Sequence, residues 1–199
     1  MNPALGHLLV LAVTIAPPTL AQELSPQARF EQRLTTKLNG APFQQITLKS
    51  CVLTVSTDTD ITCDGPRHSY MLRSHTEILH LSEITEHISS RVSAFLDGYI
   101  VLEFQFDPEV AMWLNAYSGF SSDIMERYPN DLPERFSKFE ELSSEFFAKS
   151  GLKSREVTEY CGAELTAGIS PHFGVRVTGD QNEDLALELE RYVQSYCAN

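Results

Sequence analysis

The sequence predicts an α+β protein in which an antiparallel, hairpin-built sheet or small barrel carries a helical insertion and a C-terminal amphipathic helix. Apolar and polar residues mostly alternate from residue 46 to 106, as they do in half-buried strands. Helix formers and aromatic residues then fill about residues 108–150. Apolar residues recur at helical spacing over residues 180–197. These three patterns separate the strands from the helices along the chain, which is typical of the α+β class.

The composition is that of a globular chain. The 199 residues are 42% hydrophobic and contain no evident repeat or low-complexity linker, so we expect one domain over residues 22–199. Asp and Glu number 27 against 15 Lys and Arg, which makes this an acidic protein with a formal net charge of −12. Such a surface repels a phosphate backbone, and we therefore expect no nucleic-acid partner.

Residues 1–21 have the layout of a secretory signal peptide. They contain no charged side chain, an apolar run over residues 8–16 is followed by two prolines, and Thr19 and Ala21 suit signal peptidase at the third and first positions before a cut. The apolar run is too short to span about 30 Å of hydrocarbon, so we expect no stable membrane span after cleavage. The sequence predicts export to the periplasm or the extracellular space, and we favour the periplasm.

Four cysteines follow the predicted cleavage site, namely Cys51, Cys63, Cys161 and Cys197. Export makes disulfide bonds the default, and no Cys-x-x-Cys or zinc-module spacing competes with that interpretation. Three pairings are possible in principle. The segment 51–63 predicts a strand, a polar turn and a second strand, which would bring Cys51 opposite Cys63. Local structure therefore predicts Cys51–Cys63 and Cys161–Cys197, the second bond tying the last helix to an upstream strand.

The first half of the domain begins with a helix. Ser25 is a good N-cap, Pro26 is tolerated in the first turn, and Asn39–Gly40 ends the apolar repeat. Strand patterns follow, and Asp97–Gly98 between two alternating runs is a strong hairpin signal. The segment 83–90 fits both a strand and a helix face, and both alternatives stay open there.

The second half begins at Asp107–Pro108, an N-cap followed by proline at the first helical position. Within the insertion, residues 133–149 form the clearest helix, because Asp131 and Glu134 resemble a capping box and Gly151 follows the end. Strand patterns return at residues 155–160 and 173–177. The last helix, residues 180–197, places Leu185, Leu189, Tyr192, Val193 and Tyr196 on one side.

No local motif for hydrolysis is present. The strings that begin at Gly119 and Gly168 lack the second glycine of Gly-x-Ser-x-Gly, and Ser170 and His172 are too close along a strand for a base and its nucleophile. We therefore predict no catalytic residue. The alternative is a secreted hydrolase with dispersed catalytic residues, which buried carboxylates among Glu103, Asp107 and Glu164 would favour.

Metal and cofactor sites receive equally little support. His68, His75, His80 and His87 crowd one stretch, but His75 and His80 are five residues apart and would lie on opposite faces of a strand. In a helix His80 and His87 would share a face, yet two turns separate them and no His-Glu-x-x-His motif is present. The acidic run 180–184 begins like a calcium-binding loop, yet Leu185 stands where the loop needs glycine. Helix capping explains that run better. Phosphate-binding glycine motifs are absent, and we predict neither a metal nor a cofactor.

Aromatic residues in the insertion are the remaining candidates for a site. Trp113, Tyr117 and Phe120 lie ahead of the clearest amphipathic helix, where an apolar groove for a protein segment, a peptide, a lipid or another small apolar ligand could form. The sequence thus favours an exported, non-catalytic binding or interaction module. A related possibility is a structural or inhibitory protein that binds and masks another exported protein. An exposed, contiguous apolar patch would favour that possibility.

Overall fold

The computed structural model describes residues 24–41, 43–64, 71–93, 98–179 and 182–198. The predicted signal peptide, residues 1–21, lies outside these ranges. In the described part the helices are α1 (Pro26–Leu38), α2 (Pro108–Arg127), α3 (Leu132–Ser150) and α4 (Asn182–Tyr192). The strands are β1 (Gln45–Lys49), β2 (Val52–Asp58), β3 (Leu72–His80), β4 (Ile84–Val92), β5 (Tyr99–Phe106), β6 (Arg155–Tyr160), β7 (Ala163–Gly168) and β8 (Phe173–Thr178).

The strands form two antiparallel sheets, which confirms the predicted α+β class. One sheet has five strands in the order β1-β2-β3-β6-β7, and the other has three in the order β4-β5-β8. The alternative of a small barrel is wrong, because within the described residues the two sheets do not join into a closed ring. A single 3₁₀ turn, Leu81–Glu83, carries the chain from β3 to β4 and so from one sheet to the other.

The core lies between the sheets and is closed by α1 and α4. Strand β5 buries Ile100, Leu102, Phe104 and Phe106 at every second position, which is the alternation that predicted it. Each such side chain stabilises the fold by about 1.5–3 kcal/mol on burial. The core cluster also includes the following residues from the other sheet and the helices: Leu34, Leu38, Ile46, Leu48, Leu53, Val55, Leu79, Leu185, Leu189 and Tyr192.

Both predicted disulfide pairings are wrong. Cys51 bonds Cys197 across a Cα–Cα distance of 5.5 Å, and Cys63 bonds Cys161 across 5.3 Å. The reason is that Cys51 lies in a turn and not at a strand end. Lys49 pairs with Val52, so Ser50 and Cys51 form a two-residue hairpin turn with positive φ at both positions. Strand β2 then pairs with β1 and β3, and the segment around Cys63 is not a strand.

The end of α4 explains how Cys197 reaches Cys51. The last turn, Val193–Cys197, is a π-helix, in which the Ala198 N–H donates to the Val193 carbonyl. This wider turn directs Cys197 inward, with 6% of its surface exposed, whereas Tyr196 is 38% exposed. Leu185, Leu189, Tyr192 and Val193 are buried, and the partly exposed Tyr196 lies on the same side, with its ring 5.5 Å from the ring of Tyr192.

The structure decides the segments that the sequence left open or missed. Residues 83–90 mostly belong to strand β4, which pairs with β5 as the Asp97–Gly98 signal predicted, although Asp97 itself lies outside the described residues. Strand β7 was not predicted, because its sequence AELTAG shows little apolar alternation. Gly162, with φ of +88°, makes the tight turn that returns the chain from β6 into β7.

None of the described helices has the length and apolarity needed to cross a membrane.

Candidate functional site

Helices α2 and α3 form an antiparallel hairpin whose ends are set by local signals. Asp131 caps α3 by accepting the N–H of Glu134 at 3.1 Å, and Gly151 ends the helix in the left-handed conformation. Arg135 donates from its guanidinium to the carbonyls of Tyr128 and Pro129. The connection between the helices is thus held by the first turns of α3, and this fixes how the two helices pack.

Tyr117 anchors the hairpin on the five-stranded sheet. Its ring lies 4.6 Å from the ring of Phe146, and its hydroxyl is 3.1 Å from Ser143 Oγ. A Cβ at Gly168, the last residue of β7, would lie 2.8 Å from the Tyr117 ring. The close approach of helix and strand therefore requires glycine at this position.

A cavity of about 360 Å³ opens between the two helices on the side of the hairpin. We call it the α2–α3 groove. Trp113, Tyr117 and Phe120, the three residues predicted to bind a ligand, all lie along its α2 wall. Tyr117 is buried, Trp113 is half-buried and Phe120 is 59% exposed. The complete lining is Trp113, Ala116, Tyr117, Phe120, Leu142, Glu145, Phe146 and Lys149.

The α3 wall was not predicted as part of the site. Leu142 and Phe146 fall on one face of α3 by their spacing of four residues, and nothing in that spacing indicates that one edge of the face borders a cavity. Lys149 donates to Glu145 at the edge of the groove, and this hydrogen bond lowers the pKa of the Glu145 carboxyl. Burial raises the pKa of the Tyr117 phenol, which stays protonated at neutral pH. The groove therefore presents an apolar floor with one ion pair at its edge.

A second cavity of about 410 Å³ lies on the outer side of the three-stranded sheet. Arg91 and Glu103 form an ion pair across β4 and β5 there, and Gln105, Asn115 and His172 add polar groups. Glu103 is the one hydrolase candidate in this cleft. Asp107 lies at the start of α2 and Glu164 on β7, and none of the three carboxylates is buried. The structure thus does not bring these carboxylates together as the hydrolase alternative requires.

Ser170 and His172 are adjacent through the main chain only. The hydroxyl of Ser170 accepts the backbone N–H of His172 at 3.3 Å, and both residues are exposed. A hydroxyl used in this way stabilises the turn before β8. Among the residues that the structure describes, none is shown as a base bonded to this hydroxyl.

The clustered histidines are separated by the fold. His75 lies on β3 between two carboxylates, with Nε2 3.9 Å from Glu77 and Nδ1 3.4 Å from Glu156. His87 lies on β4 and its Nδ1 is 3.1 Å from Glu190 of α4. His68 lies outside the described residues, as do the first two residues of the acidic run 180–184. Within the described ranges, no group of three or more His, Cys, Asp or Glu side chains could hold a metal ion.

No family model, curated protein or solved structure is significantly similar to this chain. Since one fold can carry many unrelated functions, the site residues have to support the functional inference. Of these two cavities, the α2–α3 groove combines an apolar floor with one exposed and one half-buried aromatic side chain, which is the composition of a binding site.

Proposed function

We propose that this protein is an exported binding module without catalytic activity of its own, which takes an apolar ligand into the α2–α3 groove. The observation that carries the proposal is the exposure of Phe120 beside half-buried Trp113 over the groove. Large aromatic side chains left in water cost free energy that a ligand would recover by covering them.

Two further features support the proposal. The groove has about 360 Å³, which is within the usual range for small-molecule sites. The disulfides Cys51–Cys197 and Cys63–Cys161 are compatible with an oxidising compartment, and together with the predicted signal peptide at residues 1–21 they favour export, with the periplasm as the proposed destination.

The experiment uses the single tryptophan of the chain. Because Trp113 is the only tryptophan, all tryptophan fluorescence of the chain comes from a residue that lines the groove. Titration of the oxidised chain with the neutral apolar dye N-phenyl-1-naphthylamine should quench Trp113 by energy transfer and should saturate. Phe120→Ala should weaken dye binding at least fivefold, because it removes the most exposed wall of the groove.

Leu187→Ala serves as the matched control. Leu187 is 49% exposed on α4, so its truncation costs little stability and removes an exposed apolar side chain elsewhere. Equal loss of dye binding in both variants would show adsorption to apolar surface in general. Absence of saturable quenching would refute the proposal.

A further inference from the structure

We propose that the ligand of the α2–α3 groove is an amphipathic α-helix of a partner protein, with apolar side chains seated in the groove and basic side chains beside them. This inference rests on the proposed function, since it names the chemistry of the ligand for the same site. It depends on the spacing of the lining residues on both helices and on the charge of the hairpin.

The two walls of the groove have the same helical spacing. Each wall consists of four residues at relative positions 0, 3, 4 and 7. They are Trp113, Ala116, Tyr117 and Phe120 on α2, and Leu142, Glu145, Phe146 and Lys149 on α3. This is the spacing with which helices present a seam to a neighbouring helix in a bundle. Tyr117 and Phe146, at position 4 of each row, already contact each other at the floor of the groove, so a third helix would lie over the more exposed members of both rows.

The length of the groove fits a helix as well. Seven residues at a rise of 1.5 Å extend about 10.5 Å, which is close to two helical turns. A partner helix can fill that length with side chains at positions 0, 3, 4 and 7 of its own. Met112, which precedes Trp113 on α2, is 62% exposed. Its flexible thioether can adapt to a helix that is broader than the groove itself.

The net charge of the α2–α3 hairpin indicates which charged side chains the partner helix carries beside its apolar stripe. Residues 108–150 carry eight acidic and four basic side chains. Three of the basic groups are used within the hairpin: Lys138 binds Glu141, Lys149 binds Glu145, and Arg135 binds main-chain carbonyls. The groove lining itself is balanced, since its one acid, Glu145, binds its one base, Lys149. The acidic surplus of the rest of the hairpin favours Lys and Arg beside the apolar stripe of the partner. The same surplus, within a chain of net charge −12, opposes an anionic lipid surface as the occupant.

A synthetic helix tests the inference. The probe is an 18-residue peptide of leucine and lysine in equal numbers. Its leucines are spaced so that they fall on one face of a helix. The control peptide has the same composition in strict alternation, so that it has equal charge but no helical stripe. At 150 mM salt the helical probe should change Trp113 fluorescence saturably, bind at least tenfold more tightly than the control peptide, and displace N-phenyl-1-naphthylamine from the groove. Phe120→Ala should weaken binding at least fivefold, and Leu187→Ala should leave it unchanged.

The outcomes separate this inference from the proposed function. If the dye binds and the helical probe neither binds nor displaces it, the partner-helix inference is overturned while the apolar groove remains a binding site. Equal affinity for both peptides also overturns it, because attraction by charge alone would then explain the binding. Binding of phosphatidylglycerol vesicles in preference to the helical probe would assign the surface to lipid instead. If neither dye nor probe binds, both proposals fail.

Discussion

The phenol of Tyr192 donates a hydrogen bond of 2.5 Å to the carboxylate of Glu31, at the junction of α1, α4 and the turn between β1 and β2. The same carboxylate oxygen accepts the N–H of Ser50 at 2.8 Å, and the Tyr192 oxygen accepts the N–H of Cys51 at 3.2 Å. Two backbone donors of a turn with positive φ are thus satisfied by side chains from two helices. The network holds Cys51 where it meets Cys197.

Tyr192→Phe should lower the free energy of unfolding by about 1–3 kcal/mol, because it leaves the Cys51 N–H and one bond to Glu31 without a partner in the interior. Denaturation by urea measures the effect. Tyr196→Phe is the matched control, since Tyr196 lies on the same helix end and is 38% exposed. Equal denaturation midpoints for the two variants would contradict a structural role for the Tyr192 hydroxyl.

Alkaline titration offers a second readout of the same network. Burial and the hydrogen bond to Glu31 raise the pKa of Tyr192 to about 12 from its ordinary value of 10.0. Since the folded state favours the protonated phenol, the associated stability is present below about pH 10 and is lost as the pH rises through about 12. Tyrosinate absorbance should show one of the seven tyrosines titrating last, and Tyr192→Phe should remove that step. A wild-type curve identical to that of the variant would refute this assignment.

The disulfide pairing can be tested by digestion of the non-reduced chain. Mass spectrometry should find Cys51 joined to Cys197 and Cys63 joined to Cys161. The bonds close segments with sequence separations of 146 and 98 residues, so removal of either should cost about 4–5 kcal/mol in the chain-entropy model. A peptide joining Cys51 to Cys63 would contradict the observed turn at Cys51.

Gly168→Ala should destabilise the protein by about 1–3 kcal/mol, because the new Cβ would lie 2.8 Å from the Tyr117 ring and overpack the contact between α2 and β7. Gly119→Ala is the opposite case. Gly119 lies within α2, and a Cβ added there would meet no atom within 4 Å, so alanine should stabilise the helix by up to about 1 kcal/mol. Thermal unfolding distinguishes them, and two shifts of the same sign would contradict the packing argument.

The position of His75 predicts a pH-dependent stability. The carboxylates of Glu77 and Glu156 raise the pKa of His75 above its ordinary 6.5 despite the opposing effect of burial, and burial raises the pKa of Glu156. A raised pKa gives stability that is present below the unfolded-state value and is lost as the pH rises through the folded-state value. As the pH rises above about 6.5, urea midpoints should therefore fall more, or rise less, in the wild type than in His75→Gln. An equal change in the variant would assign the effect to other groups.

The sequence predicted well the features that depend on contacts within a few residues. Ser25 caps α1 by accepting the Ala28 N–H, and Asp131 caps α3, because a cap involves groups only three residues apart. The alternation in β5 and the pattern of α4 could be recognised for the same reason. Trp113, Tyr117 and Phe120 lie on one face of α2 for the same local reason, since a spacing of three, four and seven residues determines that face by itself.

Only the tertiary structure decided which distant segments meet. Cys51 pairs with Cys197 because the wider last turn of α4 directs Cys197 inward, and no local pattern encodes that meeting across 146 residues. Strand β7 forms because β6 offers it a hydrogen-bonding edge, although its own sequence is weakly strand-like. The α3 wall of the groove arises in the same way, from the packing of α3 against α2 and β7. Helix and strand tendencies reside in neighbouring residues, whereas the pairing of cysteines, strands and cavity walls depends on the path of the whole chain.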